Sequence, residues 1–402
     1  MFNIKSFLFI VFILSLSHYS SGQFKDYSFG EGFRYNAKDS TFDIKATFRF
    51  QSLFEGNWRV NNDDLGDIGN LSSNFLIRRA RLKFDGFAYS PKLTYKVELA
   101  LSNRDINHNN PTHYGEGGNI VLDAYLNWNF HSDFSIKVGQ FKLAGNRERI
   151  VSSANLQFVD RSTLNSRFTL DRDIGASLHY DKTLGERFGL HLSAALTQGD
   201  GRNIISGNKG GHQTTFKVEI MPFGEFTNNG AYVQSAVYRE QKPKLAFAVA
   251  FDKNHGAART NGNKGAFLPV NAELKDLMTG FADFMFKYKG LSVMGEYTLR
   301  KTNGNGNGVF DDSGNYLDSY RIGSALNLQA GYLFKNNFEV AARYTYVTPL
   351  TYFGSPNVNH YTLGFSKYLT GHNLKIQTDL GYIQNYLIDD GLTWRFQIEI
   401  GF

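Results

Sequence analysis

Basic side chains recur in this sequence at spacings that suit the binding of anions. Arg79, Arg81 and Lys83 are separated by single apolar residues, and in a strand this period of two places all three on one face. Like charges in such a row need water, anions or acidic side chains around them. A second set surrounds a long segment further along the chain: Lys142, Arg147, Arg149, Arg161, Arg167 and Arg172. Because arginine keeps its charge and offers a planar fork to oxyanions, both sets indicate anion binding.

The sequence contains no arrangement typical of a catalytic or metal centre. No glycine-rich phosphate loop opens a helix, and no Gly-x-Ser-x-Gly motif is present. The run from Asn303 to Asp318 resembles a calcium loop in composition but not in spacing. His108 and His113 have no third ligand close by in the sequence, which argues against zinc. We therefore expect no catalytic residue, no metal, no cofactor and no nucleic-acid partner.

Strict alternation of apolar and polar residues indicates the elements that position these side chains. In LTWRFQIEIGF, at 392–402, every even position is apolar, whereas the odd positions carry Thr, Arg, Gln, Glu and Gly. The pattern recurs near 42–50, 122–130, 338–346 and 374–382, and it is typical of strands with one apolar and one polar face. It predicts about 16 strands, near 41–51, 74–87, 92–102, 120–130, 133–142, 172–182, 187–198, 213–222, 244–253, 279–289, 290–300, 320–334, 336–347, 358–369, 372–386 and 391–402.

Long and short connections alternate between these predicted strands. The long ones include 52–73, 103–119 and 143–171, whereas the short ones include 88–91 and 131–132. Barrels of the bacterial outer membrane are built in this way, with brief periplasmic turns and extended outer loops. Their apolar face meets lipid and their polar face lines a wet lumen. We therefore predict an all-β fold, a transmembrane antiparallel β-barrel of about 16 strands in the bacterial outer membrane.

The connection 223–243 is long at a place where a tight turn is expected. The stretch AYVQSAVYRE within it has the residues of a strand. One more strand would make the number odd, however, and bacterial single-chain barrels close with even numbers. We expect a helix or an irregular segment on the periplasmic side instead.

The start of the chain has the composition of a secretory signal peptide. Lys5 precedes the apolar run from Phe7 to Leu16, and small residues follow up to Gly22. The chain contains no cysteine, so no disulfide stabilises it after the predicted export. We divide the chain into three parts: a signal peptide at 1–22, an N-terminal periplasmic segment at 23–40 and the barrel at 41–402.

Alternation turns a mixed set of charges toward the lumen, with basic residues in the majority. The basic residues are Lys45, Arg49, Arg79, Arg81, Lys83, Lys96, Lys137, Lys217, Arg343, Lys375 and Arg395. Acidic residues such as Asp123 and Glu399 share this face, so ion pairing is the alternative to anion binding. Arg78 interrupts the alternation and is expected to point outward. The third external loop, 143–171, carries apolar residues of its own and is expected to fold inward and narrow the pore.

Three stretches of the sequence resemble the phosphate-selective porin O/P family: FLIRRARLKFDGFAYSPKLTYKVELA, LDAYLNWNFHSDFSIKVGQFKLAGNRE and FVDRSTLNSRFTLDRDIGASLHY. They run from Phe75 to Tyr180, and R-R-A-R, V-G-Q-F-K and R-D-I-G within them are specific when they occur together. The resemblance implies a trimeric, 16-stranded porin with an arginine-rich constriction. It also implies that Arg147, Arg149, Arg161, Arg167 and Arg172 lie at or near that constriction, and that Arg79, Arg81 and Lys83 line the pore.

These observations predict a passive diffusion channel for ions and small hydrophilic solutes, with a preference for anions, phosphate among them. The expected partners are these solutes, outer-membrane lipid, further copies in a homotrimer, and the barrel-insertion machinery, which would read the terminal aromatic Phe402. We expect no enzyme activity. One alternative is a barrel hydrolase, for which His179, His191 and Ser193 are candidates although alternation turns them inward. The other alternative is a non-selective or structural outer-membrane protein.

Overall fold

The computed structural model describes residues 23–24, 28–61, 64–102, 104–106, 119–185, 187–208, 210–304, 306–350, 354, 356–385 and 390–402. The predicted signal peptide at 1–22 lies outside the described residues, and so do His108 and His113. Within the described part of the chain, no helix is long and apolar enough to span a membrane.

The chain is built almost entirely of antiparallel strands. The strands are β1 (Gln23–Phe24), β2 (Phe33–Asn36), β3 (Phe42–Val60), β4 (Ser72–Ala88), β5 (Ser90–Ala100), β6 (Val121–Trp128), β7 (Phe134–Lys142), β8 (Arg172–Leu184), β9 (Phe188–Thr197), β10 (Gln213–Met221), β11 (Lys244–Asn254), β12 (Arg259–Asn261), β13 (Lys264–Phe267), β14 (Leu277–Tyr288), β15 (Leu291–Thr302), β16 (Gly308–Phe310), β17 (Tyr316–Ser319), β18 (Ile322–Leu333), β19 (Phe338–Leu350), β20 (Val358–Thr370), β21 (Leu374–Asn385) and β22 (Asp390–Gly401). The described helices are short: α1 (Arg147–Ile150), α2 (Thr163–Phe168) and a 3-10 helix (Thr227–Tyr232).

Sixteen strands close into a barrel: β3 to β11, β14, β15 and β18 to β22. Each pairs with the next of this set, and β22 pairs back onto β3 between Gly401↔Arg49 and Asp390↔Val60. Phe402 extends this seam, because its N–H donates to the carbonyl of Phe48 at 3.0 Å. Hydrocarbon offers the backbone no hydrogen-bond partner, so strands can cross a membrane only as a closed barrel. The predicted all-β, 16-stranded antiparallel barrel is confirmed.

Alternation within each strand sorts the side chains between the two faces of the wall. In β22, Phe396 and Ile398 are exposed on the outer face, whereas Gln397 and Glu399 are buried on the inner face. In β11, Phe247 is likewise exposed on the outside. The outer face is thus apolar and suited to lipid, while the inner face carries the polar side chains.

Connections of two lengths alternate around the barrel, as the sequence predicts. One residue joins β4 to β5 and two residues join β14 to β15 at what we call the short-turn end. The segment 143–171 and the other long connections lie at the opposite, long-loop end, and the hairpins β12–β13 and β16–β17 belong to two of them. The segment 222–243 is the exception at the short-turn end. It is fully described, and it contains the 3-10 helix and no strand, which keeps the strand number even.

Part of the expected N-terminal periplasmic segment adds to the sheet. β2 pairs with the first residues of β3, from Phe33↔Ala46 to Asn36↔Asp43, and β1 pairs with β2. The residues ahead of the barrel thus extend its wall at the short-turn end.

A β-bulge in β4 changes the direction of one arginine. Gln51 of β3 pairs with Arg79, and the next residue, Ser52, pairs with Ile77, so Arg78 is an extra residue in the strand. Such an insertion breaks the alternation and re-aims the neighbouring side chains. Alternation predicts that Arg78 points outward, and this prediction is wrong. The Arg78 guanidinium lies on the inner side, 2.8 Å from the carboxylate of Asp160.

Candidate functional site

The segment 143–171 lies inside the barrel and contacts strands on opposite sides of it. The side-chain amide of Gln157 donates to Ser292 of β15 at 2.9 Å, and Asp160 binds Arg78 of β4. Because β4 and β15 face each other across the ring, a segment that reaches the polar face of both must cross the interior. Its apolar side chains are buried there, namely Val151, Leu156, Phe158, Val159 and Leu164.

Short polar contacts hold this segment in shape. Ser162 caps α2 by accepting a hydrogen bond from the N–H of Asn165 at 3.2 Å. The carboxylate of Glu148 in α1 accepts from the N–H of Ser162 at 3.0 Å and from its hydroxyl at 2.5 Å. The N–H of Glu148 in turn donates to Glu296 of β15 at 2.6 Å. Glu148 therefore joins the two short helices to each other and to the barrel wall.

A cavity of about 390 Å³ lies between this segment and the inner face of β4. Its basic lining residues are Arg78, Arg79, Arg81, Arg104, Arg149, Arg161, Arg172, Arg202 and Lys264. Its acidic lining residues are Asp105, Asp160 and Asp171. Nine basic groups face three acidic ones in the lining. Glu98, Asp123 and Glu55 behind the lining pair with Arg81, Arg172 and Arg104, and basic groups remain in excess. Ser162, Asn165 and Ser166 add neutral hydrogen-bonding groups to the lining.

Two of the three acidic residues of the lining are each shared between two arginines, and the third, Asp105, pairs with Arg81 at 2.9 Å. Asp160 lies 2.8 Å from Arg78 and 3.2 Å from Arg79. Asp171 binds Arg149 and lies 3.6 Å from Arg172. Although burial raises the pKa of the Asp171 carboxyl, these two arginines outweigh it and hold that pKa well below its usual range. The carboxylates thus stay charged and keep the arginines in place without neutralising all of them.

The lowered pKa values of two lining residues, Arg161 and Lys264, reflect the positive charge of the cavity. Arg161 donates to the carbonyls of Glu148 and Val151, both at 2.8 Å, and burial together with the charge of Arg149 lowers the pKa of Arg161 to about 9. Burial and the charge of Arg149 also lower the pKa of Lys264 to about 8. An anion in the cavity would stabilise the charged form of both groups.

Comparison with known families identifies the chain. The profile of the family described as phosphate-selective porin O and P matches residues 44–385. The chain belongs to this family. It is therefore an outer-membrane porin. Comparison with curated protein sequences gave no match.

Solved structures with the same fold include outer-membrane proteins and an anion-selective porin. The loop L8 deletion mutant of OmpT from Vibrio cholerae superposes with a TM-score of 0.57 at 10% identity, covering 90% of this chain and 100% of that one. The anion-selective porin from Comamonas acidovorans gives 0.55 at 12% identity, again covering 90% and 100%. The trimer form of in-vitro folded OmpT gives 0.50 at 10% identity, covering 89% and 99%. At these identities the likeness concerns the fold alone.

The porin brings five of the predicted basic residues together at the cavity: Arg79, Arg81, Arg149, Arg161 and Arg172. Three residues predicted for the constriction are not part of the lining. Arg167 is exposed on α2, and the ammonium of Lys142 donates to the carbonyl of Ile150 at 3.4 Å. Arg147 is the third.

Arg147 is fully buried and holds the segment rather than facing the cavity. Its Nε donates to Asp283 at 2.6 Å, its Nη2 to Glu219 at 2.6 Å and its Nη1 to the carbonyl of Ala231 at 3.2 Å. Burial opposes the charge, but the two carboxylates outweigh it and raise the pKa of Arg147. With its donors directed at these partners, Arg147 anchors α1 to the barrel wall.

Sequence reasoning does not find four basic residues of the lining: Arg78, Arg104, Arg202 and Lys264. For Arg78, the bulge interrupts the alternation, so the sequence pattern predicts the wrong direction for its side chain. The other three come from separate long loops that meet only in the folded porin. The row at Arg79 and Arg81 was the one local signal for this wall of the cavity.

Outside the cavity, the predicted lumen residues are mostly ion-paired. The pairs are Arg49 with Glu399 (3.7 Å), Lys83 with Asp85 (2.8 Å), Lys96 with Asp123 (2.5 Å), Lys217 with Asp283 (3.8 Å), Arg343 with Glu148 (3.7 Å), Lys375 with Glu399 (3.3 Å) and Arg395 with Asp379 (2.7 Å). Lys137 lies 5.0 Å from the ring centre of Tyr125, and Lys45 is opposite Asp85 in the β3–β4 pairing. Ion pairing thus accounts for most of the lumen, and the excess charge is concentrated at the cavity.

Metal ligands are not grouped in the part of the chain that the structure describes. No cluster of three or more His, Asp or Glu side chains there could hold a metal ion. In the glycine-rich loop, the Asp311 carboxylate accepts hydrogen bonds from the N–H groups of Ser313 at 2.9 Å and Asn315 at 2.8 Å. This carboxylate shapes the β16–β17 turn.

Proposed function

We propose that this porin lets small anions diffuse through the cavity between β4 and the segment 143–171. The observation that carries the proposal is the excess of basic over acidic residues in the lining. Rings of arginine and lysine favour anions in a pore, because they lower the electrostatic cost of entry for negative ions and raise it for positive ones. The same cavity would act as the constriction of the pore.

Oxyanions, phosphate among them, are the solutes that the lining suits best. Arginine binds a tetrahedral oxyanion through two parallel N–H groups, a geometry that chloride cannot use. The description of the family as phosphate-selective agrees with this proposal.

The reversal potential in a KCl gradient across a planar bilayer tests the proposal. We expect chloride to be preferred over potassium. Replacing Arg149→Gln and Arg161→Gln together should lower that preference by roughly fivefold or more, since each lost charge removes about 0.5–1 kcal/mol of Coulomb energy. Arg167→Gln removes a charge from the same segment outside the cavity and should have little effect. A pore that prefers potassium, or one in which both variants behave alike, would contradict the proposal.

Phosphate block separates an oxyanion pore from a general anion pore. Added to a chloride-conducting channel, phosphate should reduce the chloride current at low concentration if the guanidinium forks bind it. The Arg149→Gln and Arg161→Gln double variant should need more phosphate for the same block. Equal currents with and without phosphate would leave anion preference in place but remove the oxyanion preference.

The contacts of His191 argue against the hydrolase alternative. Its Nδ1 lies 2.7 Å from Asp181, and its Nε2 lies 2.8 Å from Glu225. With both ring nitrogens next to carboxylates, neither is available as a base for Ser193. His179, the other candidate base, lies opposite Ser193 in the β8–β9 pairing, so the contacts of His191 do not decide the question alone. Membership of a porin family supports our proposal that the protein is not an enzyme, and a lipid-hydrolysis assay on the purified protein tests this.

We further propose the remaining features of a secreted trimeric porin. Export would use residues 1–22, and the barrel-insertion machinery would read Phe402. Assembly as a homotrimer is supported by the trimer form of OmpT, which shares the fold. Mass measurement of the detergent-solubilised protein distinguishes a trimer from a monomer.

A further inference from the structure

The segment 222–243 enters the barrel from the short-turn end. A simple turn would leave its residues in water, yet Ala231, Val233, Ser235 and Ala236 are almost completely buried. The chain can turn inward here because Asn228 and Asn229 adopt positive φ values of 50° and 54°, a conformation that asparagine tolerates better than most residues. The carboxylate of Glu240 closes the base of the segment by accepting from the N–H of Thr227 at 2.7 Å.

A buried lysine of the wall holds this segment. The ammonium of Lys287 on β14 donates to the carbonyls of Gly230 at 2.9 Å, Val233 at 2.5 Å and Ser235 at 2.7 Å. An ammonium has three donors, so all three are used. The exposed fraction of Lys287 is 2%, which means that removing it would leave three buried carbonyls without this donor.

The segment 222–243 also meets the segment 143–171 inside the barrel. The N–H of Gln157 donates to the side chain of Gln234 at 2.9 Å, and the N–H of Gln234 donates to the carbonyl of Asn155 at 2.9 Å. Arg147 reaches the carbonyl of Ala231. Apolar packing adds to these contacts, because Phe226 and Ala231 are buried together with Met285 and Met294 of the wall.

We propose that the segment 222–243, positioned by Lys287, sets the width of the pore. It fills the lumen on the side of β10, β11, β14 and β15 and so confines permeating solutes to the cavity beside β4. This inference rests on the proposed anion pathway and assigns size selection to a different element from charge selection. The arginines would decide which charge passes, and the segment 222–243 would decide how large the solute can be.

Replacing Lys287→Met tests the proposal in planar bilayers and liposomes. A barrel of this strand number is wide enough for an aqueous channel when nothing fills it, so release of the segment should raise the single-channel conductance by about twofold or more. It should also admit neutral oligosaccharides that the unaltered porin excludes. Lys242→Met removes an exposed charge from the same segment and serves as the control. Unchanged conductance and an unchanged size limit in Lys287→Met would overturn the proposal.

A thiol-labelling experiment covers the case in which Lys287→Met fails to assemble. The chain contains no cysteine, so Ser235→Cys introduces a single thiol. In an otherwise unaltered porin, a bulky water-soluble maleimide should not label the cysteine at position 235. A second variant replaces residues 228–236 by a flexible glycine-serine linker that contains one cysteine. The maleimide should label that cysteine. Rapid labelling of Ser235→Cys alone would show that the segment does not fill the lumen. The unaltered porin could lack anion preference while Lys287→Met still raises the conductance and the size limit. That result would contradict the proposed function but support the role of the segment 222–243 in setting pore width.

Discussion

The cavity of the porin combines two kinds of basic residue that differ in chemistry. Arginine has the higher intrinsic pKa and keeps its charge to a higher pH than lysine in the same surroundings. Lysine can lose its proton when it is buried among other cations, and Lys264 is in that position because Arg149 and burial lower its pKa to about 8. As pH rises, the cavity therefore loses the charge of Lys264 first, and it loses that of Arg161, whose pKa burial and the charge of Arg149 lower to about 9, only at higher pH.

We expect anion preference to fall as pH rises through about 8. Lys264 is charged at pH 7 and neutral about one unit above its pKa, so the excess charge of the cavity drops by one. The chloride-to-potassium permeability ratio should decrease roughly two- to fivefold, which corresponds to about 0.5–1 kcal/mol of Coulomb energy. Reversal potentials measured across this pH range test the expectation.

Lys264→Arg is the matched control for this pH dependence. Arginine keeps the charge, so the variant should hold its anion preference over the same range. An equal pH dependence in the variant would assign the effect to another group. For stability the sign is opposite: the lowered pKa means that the charged form of Lys264 costs stability below about pH 8, and this cost disappears as pH rises toward 10.5.

At the scale of residues, the sequence predicts which residue types line the cavity better than it predicts which individual residues do so. Arg79, Arg81 and the arginines of the segment 143–171 are recognisable because period and clustering are local properties. Arg147 is misassigned because its acidic partners, Glu219 and Asp283, are distant in the sequence. Whether an arginine faces a solute or a carboxylate is decided by tertiary contacts, which spacing does not contain.

The bulge in β4 is the element that completes the wall of the cavity. Without it, Arg79 would face the lumen and Arg78 the lipid. With it, both arginines bind Asp160 of the segment 143–171. One inserted residue therefore adds a cation to the pore. It also keeps that charge away from the lipid-facing surface, where a charged side chain would be destabilising.

Deleting Arg78 should remove the bulge and leave the barrel intact. Gln51↔Arg79 and Ser52↔Ile77 would become consecutive pairs, and every other β3–β4 pair would keep its register. We expect a folded barrel whose anion preference is lowered roughly two- to fivefold by the loss of one charge. Gel mobility before and after heating measures folding, and the reversal potential measures selectivity.

Arg78→Ala separates the charge from the bulge. It removes the same charge but keeps the extra residue, so it should lower selectivity to the same degree as the deletion. If the deletion retained full anion preference, Arg78 would not contribute to the pore. If only the deletion failed to fold, the bulge would be a requirement of the barrel itself.

At the scale of elements, period-two alternation predicts the strands well and their irregularities poorly. The strand number is confirmed because each strand repeats the same pattern over many residues. β3 continues to Val60, well beyond its predicted end, because Ser52 and Gly56 interrupt the series of apolar outward positions. For 223–243 the even strand number predicts an irregular segment, but composition does not tell whether such a segment lies outside or inside the barrel.

At the scale of the whole molecule, the barrel closes at the last residue of the chain. The N–H of Phe48 donates to the carbonyl of Phe402 at 2.7 Å, and the two rings lie 5.5 Å apart. The backbone of Phe402 thus takes part in the seam, while its side chain stays 40% exposed. The hydrogen bonds of the seam therefore do not use the side chain of Phe402, which we propose the insertion machinery reads.

Replacing Phe402→Ser should reduce assembly in cells but not folding of the purified chain. The backbone hydrogen bonds to Phe48 do not depend on the side chain, so folding into detergent or lipid should proceed normally. In cells, the insertion machinery would lose its terminal aromatic, and the folded porin recovered from the outer membrane should decrease. Phe396→Ser removes a similarly exposed aromatic from the same strand, at 37% exposure, and should affect both settings alike. Equal losses for Phe402→Ser in cells and in the test tube would mean that Phe402 serves only packing at the seam.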